Sequence, residues 1–135
     1  MKLVVDTNII ISALIKDGIT RKILFSPFIQ FYTPDYSLEE ITKYEKLICK
    51  KAKINHDGFQ IISNLIFEKI LIIPKQNYQN KISQAKKMIK DIDDITFIAL
   101  SLALKTDGIW TDDKDFKTSK NLLIFRTKEL ALIFK

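Results

Sequence analysis

The 135-residue chain contains one cysteine, Cys49, and one histidine, His56. A lone cysteine cannot close an internal disulfide, so a reducing, cytoplasmic setting is expected. One residue of each kind also excludes a zinc site built from Cys and His. Glycine and proline number three apiece, which predicts tight connections. No linker, internal repeat or low-complexity stretch is visible. No apolar run approaches a membrane span, and no membrane partner is expected. Lys2 leads straight into a strand-like run, unlike a signal peptide. The Gly-rich, Lys-containing loop of a P-loop enzyme is missing as well.

What remains is an ordinary globular composition with an excess of positive charge. Hydrophobic residues make up 47% and charged ones 28%, enough for one domain, 1–135, with a real core. The net charge of +6 points to an anionic partner, with RNA or another nucleic acid first among candidates. Taken alone, that charge more often reflects solvated lysines.

Apolar patterning places a strand at 2–5, helices at 8–16 and 20–26, and a strand at 31–34 ended by Pro34. A long helix is expected from Asp35 or Ser37 to Ala52, then another, capped by Asn55, to Lys69. "ILII" at 70–73 reads as a strand. Helices follow at 78–90 and 94–105, strands at 108–111 and 122–125, and a closing helix at 127–134. Short, continuously apolar strands alternating with helices predict an α/β fold, a parallel sheet covered on both faces.

Acids fall where such a sheet binds ligands, beyond the carboxyl ends of its strands. Strand 2–5 is followed by Asp6, and strand 108–111 by Asp112, Asp113 and Asp115. In the helix from Ser37, the residues Leu38, Ile41, Tyr44 and Ile48 form an inward stripe at 100° per residue. Glu39 then points to water, and Glu40 sits on the border, able to reach a cleft. The outward face with Lys43, Lys46, Lys50 and Lys53 reads as solvated surface. In "DIDDITFIALSLALK" (91–105), Asp93 is a natural N-cap. Asp94 opens a helix that is apolar nearly all round. Taken singly, capping is the better reading of both.

Together the acids argue differently. Carboxylates about 4 Å apart repel by roughly 4 kcal/mol per pair at an effective dielectric near 20. A hard divalent cation relieves several such repulsions at once, and ligands that are all oxygen select Mg²⁺ or Mn²⁺. An ion of that kind supports phosphodiester hydrolysis, and a basic chain suits a polyanionic substrate.

"VVDTNIIISALI" (4–15), "EEI" (39–41), "DDITFIALSLAL" (93–104) and "WTDDKDF" (110–116) resemble the four blocks of the PIN-domain ribonucleases, in order and across essentially the whole chain. The resemblance implies a three-layer α/β/α fold with a parallel five-stranded sheet of order 3-2-1-4-5. It implies cleavage of RNA by an endoribonuclease with Mg²⁺ or Mn²⁺. Many small prokaryotic members resemble the toxin half of a toxin–antitoxin pair, which adds an antitoxin protein to the expected partners. Carried over by position, Asp6, Glu40, Asp94 and Asp113 match the catalytic, metal-binding acids. Asp115 matches an accessory metal acid, and Asn8 and Thr111 match supporting polar residues. Asp6 would end its strand in order to face the metal, held by Thr7 or Asn8.

The chain departs from the family pattern at Trp110, a bulky residue in place of a small aliphatic one, which reads as core. Asp112 beside Asp113 leaves the ligand open between them, and the Thr-x-Asp-x-Asp spacing favours Asp113 and Asp115. The basic "KISQAKKMIK" (81–90) reads as an RNA track or a solvated helix face. His56 reads as a surface or capping residue and Cys49 as a small apolar filler. Phe25, Phe28, Phe31 and Tyr32 read as core. The amphipathic "ELALIFK" (129–135) packs on the sheet or on a second copy in a homodimer. Two other readings compete. The haloacid-dehalogenase-like phosphatases need a second Asp where this chain has Asn8. A catalytically inactive PIN-like RNA- or protein-binding module would be expected to have lost acids that this chain keeps.

Overall fold

Residues 1–89, 91–117 and 122–134 are described by the computed structural model. Strand β1 (Lys2–Val5) leads to helices α1 (Thr7–Ile15) and α2 (Ile19–Leu24). Strand β2 (Gln30–Pro34) is followed by α3 (Asp35–Lys43), α4 (Glu45–Ala52) and α5 (His56–Phe67). After β3 (Ile70–Ile73) come two 3₁₀ turns, α6 (Ile82–Lys86) and α7 (Ile92–Leu104). Strands β4 (Gly108–Trp110) and β5 (Ile124–Phe125) and helix α8 (Thr127–Ile133) complete the order.

The five strands form one parallel sheet in the order β3-β2-β1-β4-β5. Strand β1 is central, and Leu3, Val4 and Val5 are all fully buried. Successive side chains of a strand point to opposite faces, so an apolar run without alternation requires cover on both sides. Leu3 and Val5 pack with Ile10, Ala13, Ile48, Phe59 and Leu130, contributed by α1, α4, α5 and α8. Val4 packs with Ala85 of α6 and with Phe97, Ile98 and Leu100 of α7. The result is a three-layer α/β/α fold, with the sheet order that the four sequence blocks implied.

The chain turns left from β1 to β2 and crosses to the other side only at β4, so the switch point lies between β1 and β4. Strand β5 approaches β4 closely at Gly108, where an added Cβ would lie 2.5 Å from the Leu123 carbonyl oxygen. Trp110 is core, as expected. Its ring lies 5.6 Å from that of Phe31, and its Nε1–H donates to Thr127 Oγ1 at 2.9 Å.

Five expectations are corrected. The helix expected over 35–52 breaks at Tyr44 (φ −99°, ψ 11°) into α3, which packs on β2 and α1, and α4, which packs on α1 and α5. Ile41 and Ile48 stay buried, but Leu38 and Tyr44 of the expected inward stripe are exposed. The helix expected over 78–90 is instead the turns Lys75–Asn77 and Gln79–Lys81 and the short α6. Asp35 sets that path, accepting from the buried Tyr78 hydroxyl (2.7 Å) and the Lys75 N–H (3.0 Å). The N-cap of α7 is Asp91, whose side chain accepts the Asp93 N–H at 3.0 Å, so Asp93 does not serve as the cap. Phe25 and Phe28 lie exposed on the connection between α2 and β2, while Phe31 is core. The last residues of the 81–90 and 129–135 stretches, Lys90 and Lys135, lie outside the described residues.

His56 is at the surface as expected, its Nδ1 2.8 Å from Glu45 Oε2. Cys49 is half-buried against the core. Among the described residues no helix is long and apolar enough to cross a membrane.

Candidate metal centre

Asp6 ends β1 with an extended backbone (φ −67°, ψ 146°), and its N–H donates to the Trp110 carbonyl at 3.0 Å. The β1–β4 ladder therefore continues through Asp6 and fixes where its buried side chain starts. The Thr111 hydroxyl, just past β4, donates to Asp6 Oδ2 at 2.6 Å and accepts the Asp113 N–H at 3.1 Å. Asp113 Oδ1 in turn accepts the Asp115 N–H at 3.0 Å. One hydroxyl thus joins the acids of two neighbouring strand ends. Thr111 is the side chain that holds the Asp6 carboxylate, and the backbone N–H groups of Thr7 and Asn8 also favour its charged form. Burial raises the Asp6 pKa above the usual carboxylate value, the Thr111 hydroxyl opposes that rise, and the Asp113 charge adds to it.

Glu40 reaches the same rim from α3. Thr7 Oγ1 donates to its Oε1 at 2.7 Å. Behind Thr7 runs a buried relay, with Thr7 Oγ1 2.9 Å from Ser37 Oγ, Ser37 Oγ 2.8 Å from Thr33 Oγ1, and Thr33 Oγ1 donating to the Val5 carbonyl at 3.0 Å. Three hydroxyl protons serve four contacts there. Burial, the largest cause, raises the Glu40 pKa, and the Thr7 hydroxyl opposes that rise. Asp93 and Asp6 add repulsion to that rise.

Asp94 enters from the first turn of α7. Its side chain is 6% exposed, and Oδ2 is buried with no hydrogen-bond partner. Burial pushes its pKa up to about 7, helped by repulsion from Asp91, Asp113, Asp6 and Asp93. Asp93 itself is exposed and accepts the Tyr36 hydroxyl at 3.0 Å. The structure therefore brings Asp6, Asp94 and Asp113 within range of mutual repulsion, and Glu40 within range of Asp6. Asp115 stands exposed beyond Asp113, and Asn8 is exposed at the start of α1. None of these acids is paired with Lys or Arg among the described residues, where the ion pair found is His56–Glu45.

Among the described residues, no three His, Cys, Asp or Glu side chains stand in a ready-made metal-binding group. The residues nevertheless suit a hard divalent cation: the donors are all oxygen, they repel one another, and one buried oxygen is unpartnered.

Asp112, open as a ligand in the sequence, is committed elsewhere. Its carboxylate accepts the Thr127 N–H at 2.8 Å and the Thr127 hydroxyl at 2.5 Å at the start of α8. Asp112→Ala is expected to lower stability by about 1 kcal/mol, as loss of an N-terminal helix cap does, and to leave divalent-ion binding unchanged. Paired thermal melts and Mn²⁺ titrations of Asp112→Ala and Asp113→Ala test this. Loss of ion binding in the Asp112 variant would reverse the assignment.

Sequence reading named Thr111 and Thr7 but missed Arg126, Ser37 and Thr33. The Arg126 guanidinium donates to the carbonyls of Thr111 (3.0 Å), Asp113 (2.5 Å) and Phe116 (2.8 Å), and so clamps the loop that carries Asp113 and Asp115. Its partners are backbone atoms, which leave no trace in sequence. Ser37 had a weak signal, three residues before Glu40 and so on the same helix face.

The family model for the PIN domain matches residues 4–130. No curated protein matches the chain at a significant level. With the match spanning nearly all of the chain over a parallel 3-2-1-4-5 sheet, the protein belongs to the PIN-domain family, whose members are generally metal-dependent nucleases that bind RNA.

Proposed function

We propose that this chain is an endoribonuclease that hydrolyses RNA phosphodiester bonds with Mg²⁺ or Mn²⁺. In this reading Asp6, Glu40, Asp94 and Asp113 are the catalytic, metal-binding acids and Asp115 is an accessory ligand. The observation that carries it is Asp94, a buried carboxylate with an unpartnered oxygen, repelled by Asp6 and Asp113. A helix cap alone has no use for that arrangement, since Asp91 already caps α7.

A bound ion of this class supplies an acidic water and polarises a phosphoryl oxygen. The chain's own part is positional. Thr111 fixes Asp6 and Asp113 relative to each other, and Thr7 orients Glu40. Arg126 holds the Asp113 loop. Asn8, exposed beside Thr7 at the rim, would support the site there. The net charge of +6 favours a polyanion at a rim that carries so many carboxylates.

The finer reading is a cytoplasmic toxin of a toxin–antitoxin pair, in which the single cysteine suits a reducing compartment and the basic charge an RNA substrate. Leu132 and Ile133, exposed on α8, support a protein partner, an antitoxin or a second copy. A small antitoxin-like gene beside this one would support the toxin reading, and its absence would remove it.

The direct test is incubation of purified protein with single-stranded RNA, with Mg²⁺ or Mn²⁺ and with a chelator. Cleavage is expected only with metal. Asp6→Asn is expected to lower it by about 100-fold or more, since residues merely supporting metal ligands cost 10–100-fold. RNA that is shifted in a gel yet never cut would identify an inactive binding module. Phosphate released from small monoesters with RNA left whole would identify a phosphatase.

A further inference from the structure

Beside the acids, a groove of about 360 Å³ runs between α1 and α4, lined by Asn8 and Glu40 and then by Ile11, Tyr44, Leu47 and Lys51. Its far wall is aromatic and apolar. Tyr44 and Leu47 are 42% and 48% exposed on helices otherwise rich in lysine and glutamate. The break at Tyr44 separates its ring from the buried stripe of Ile41 and Ile48. The Lys43 ammonium lies 5.9 Å from the ring centroid, and Lys46, Lys50 and Lys51 are exposed on α4.

We propose that this groove is a nucleoside subsite for single-stranded RNA, with one base stacked on Tyr44 against Leu47 and the adjoining phosphate met by Lys51 and Lys43. The assignment rests on the nuclease reading for its substrate. Glu40 and Asn8 line both the acid rim and the groove, so a chain lying in the groove passes the acids. An aromatic face with cations around it is the usual platform for an unpaired base, and a base within a duplex cannot reach such a ring. Charge complementarity favours a phosphate-bearing occupant over an acidic or neutral apolar one. The size agrees, since concavities of this volume take small ligands, whereas a stable protein interface needs about 800 Å² from each partner.

The probe is a fluorescein-labelled single-stranded RNA oligonucleotide bound to the full chain in chelator, followed by anisotropy, so that nothing is cut. Tyr44→Ala is expected to weaken binding about tenfold and Tyr44→Trp to preserve it. Lys51→Ala should weaken binding and reduce the salt slope by about one. A 2-aminopurine scan along the RNA should show quenching at one position that Tyr44→Ala removes. Both side chains are exposed, and unchanged melting temperatures verify folding. With metal present, Tyr44→Ala should raise KM and change kcat little. RNA affinity within twofold of the parent in a folded Tyr44→Ala variant overturns the subsite. So does conversion of a dimer to a monomer by that substitution with RNA affinity unchanged, which would make the groove an interface between copies. If Tyr44 governs binding but no RNA is ever cut, the nuclease reading fails and the subsite stands. If RNA is cut and Tyr44→Ala is silent, the subsite alone fails.

Discussion

Asp94→Asn is expected to melt higher than the parent protein in metal-free buffer at pH 8, and to cleave no RNA when metal is supplied. The gain comes from removing a charge that the fold holds at a cost. The Asp94 carboxyl has a pKa of about 7 in the folded chain against 3.8 for a free side chain. At pH 8 both states are ionised, and the shift of about three units sets an upper bound of roughly 4 kcal/mol on the destabilisation, lowered by solvent screening. The amide removes that cost. It gives back about 1–2 kcal/mol through an amide group left without a partner where Oδ2 had none, and through loss of an acid from the first turn of α7. A net gain of about 2 kcal/mol raises the melting temperature by roughly 8 °C in a domain of this size. At pH 5 the gain should be smaller, because the folded carboxyl is then already protonated. Calorimetry at the two pH values and a gel assay of cleavage measure both halves. A variant that melts lower at pH 8 and still cuts RNA would return Asp94 to a purely structural role.

The same residue illustrates what could be read from sequence. Apolar runs without alternation gave away a parallel sheet, and the four acid-bearing blocks implied its order. The structure has both. Asp6 was legible because an acid at the end of the first strand of such a sheet has a fixed destination. Asp93 and Asp94 were not separable in that way. Their roles depend on Asp91, which caps α7 and leaves Asp94 turned inward. Asp112 is drawn away by α8, whose first residue takes it up, while Asp113 stays with Thr111. Helical phase put Tyr44 inside because it assumed one straight helix, whereas the chain breaks there between α3 and α4. The hydroxyl relay joins β2, α3 and α1, which no local pattern connects. Local chemistry was legible, and contacts made across the fold were not.

Divalent ions should stabilise the protein strongly at pH 8 and weakly at pH 5. Without metal, a carboxyl whose folded pKa lies above its unfolded value binds more protons in the folded state between those values. Stability then falls as pH rises through that window, here from about 4 to about 7 for Asp94. Asp6 and Glu40 are shifted in the same direction, chiefly by burial, and steepen the fall. Metal reverses the slope, because its ligands must be deprotonated and an ion competes with the proton for each carboxylate. At pH 8 an ion at 100 times its dissociation constant contributes about 2.7 kcal/mol, or roughly 10 °C in melting temperature. At pH 5 the ion must first displace the Asp94 proton, and the shift should shrink to a few degrees. His56 confounds the metal-free slope, since Glu45 raises its pKa and that contribution is also lost as pH rises. It does not confound the metal response, because His56 lies on α5 and pairs with α4, not with these acids. Melts with Mg²⁺, Mn²⁺ and NaCl at matched ionic strength, on the parent and on Asp94→Asn, separate the contributions. A shift equal at both pH values, or reproduced by NaCl, would mean that the ion acts on surface charge and not on Asp94 and its neighbours. A shift confined to the divalent ions, growing with pH and absent from Asp94→Asn, would tie ion, proton and buried carboxylate to a single equilibrium.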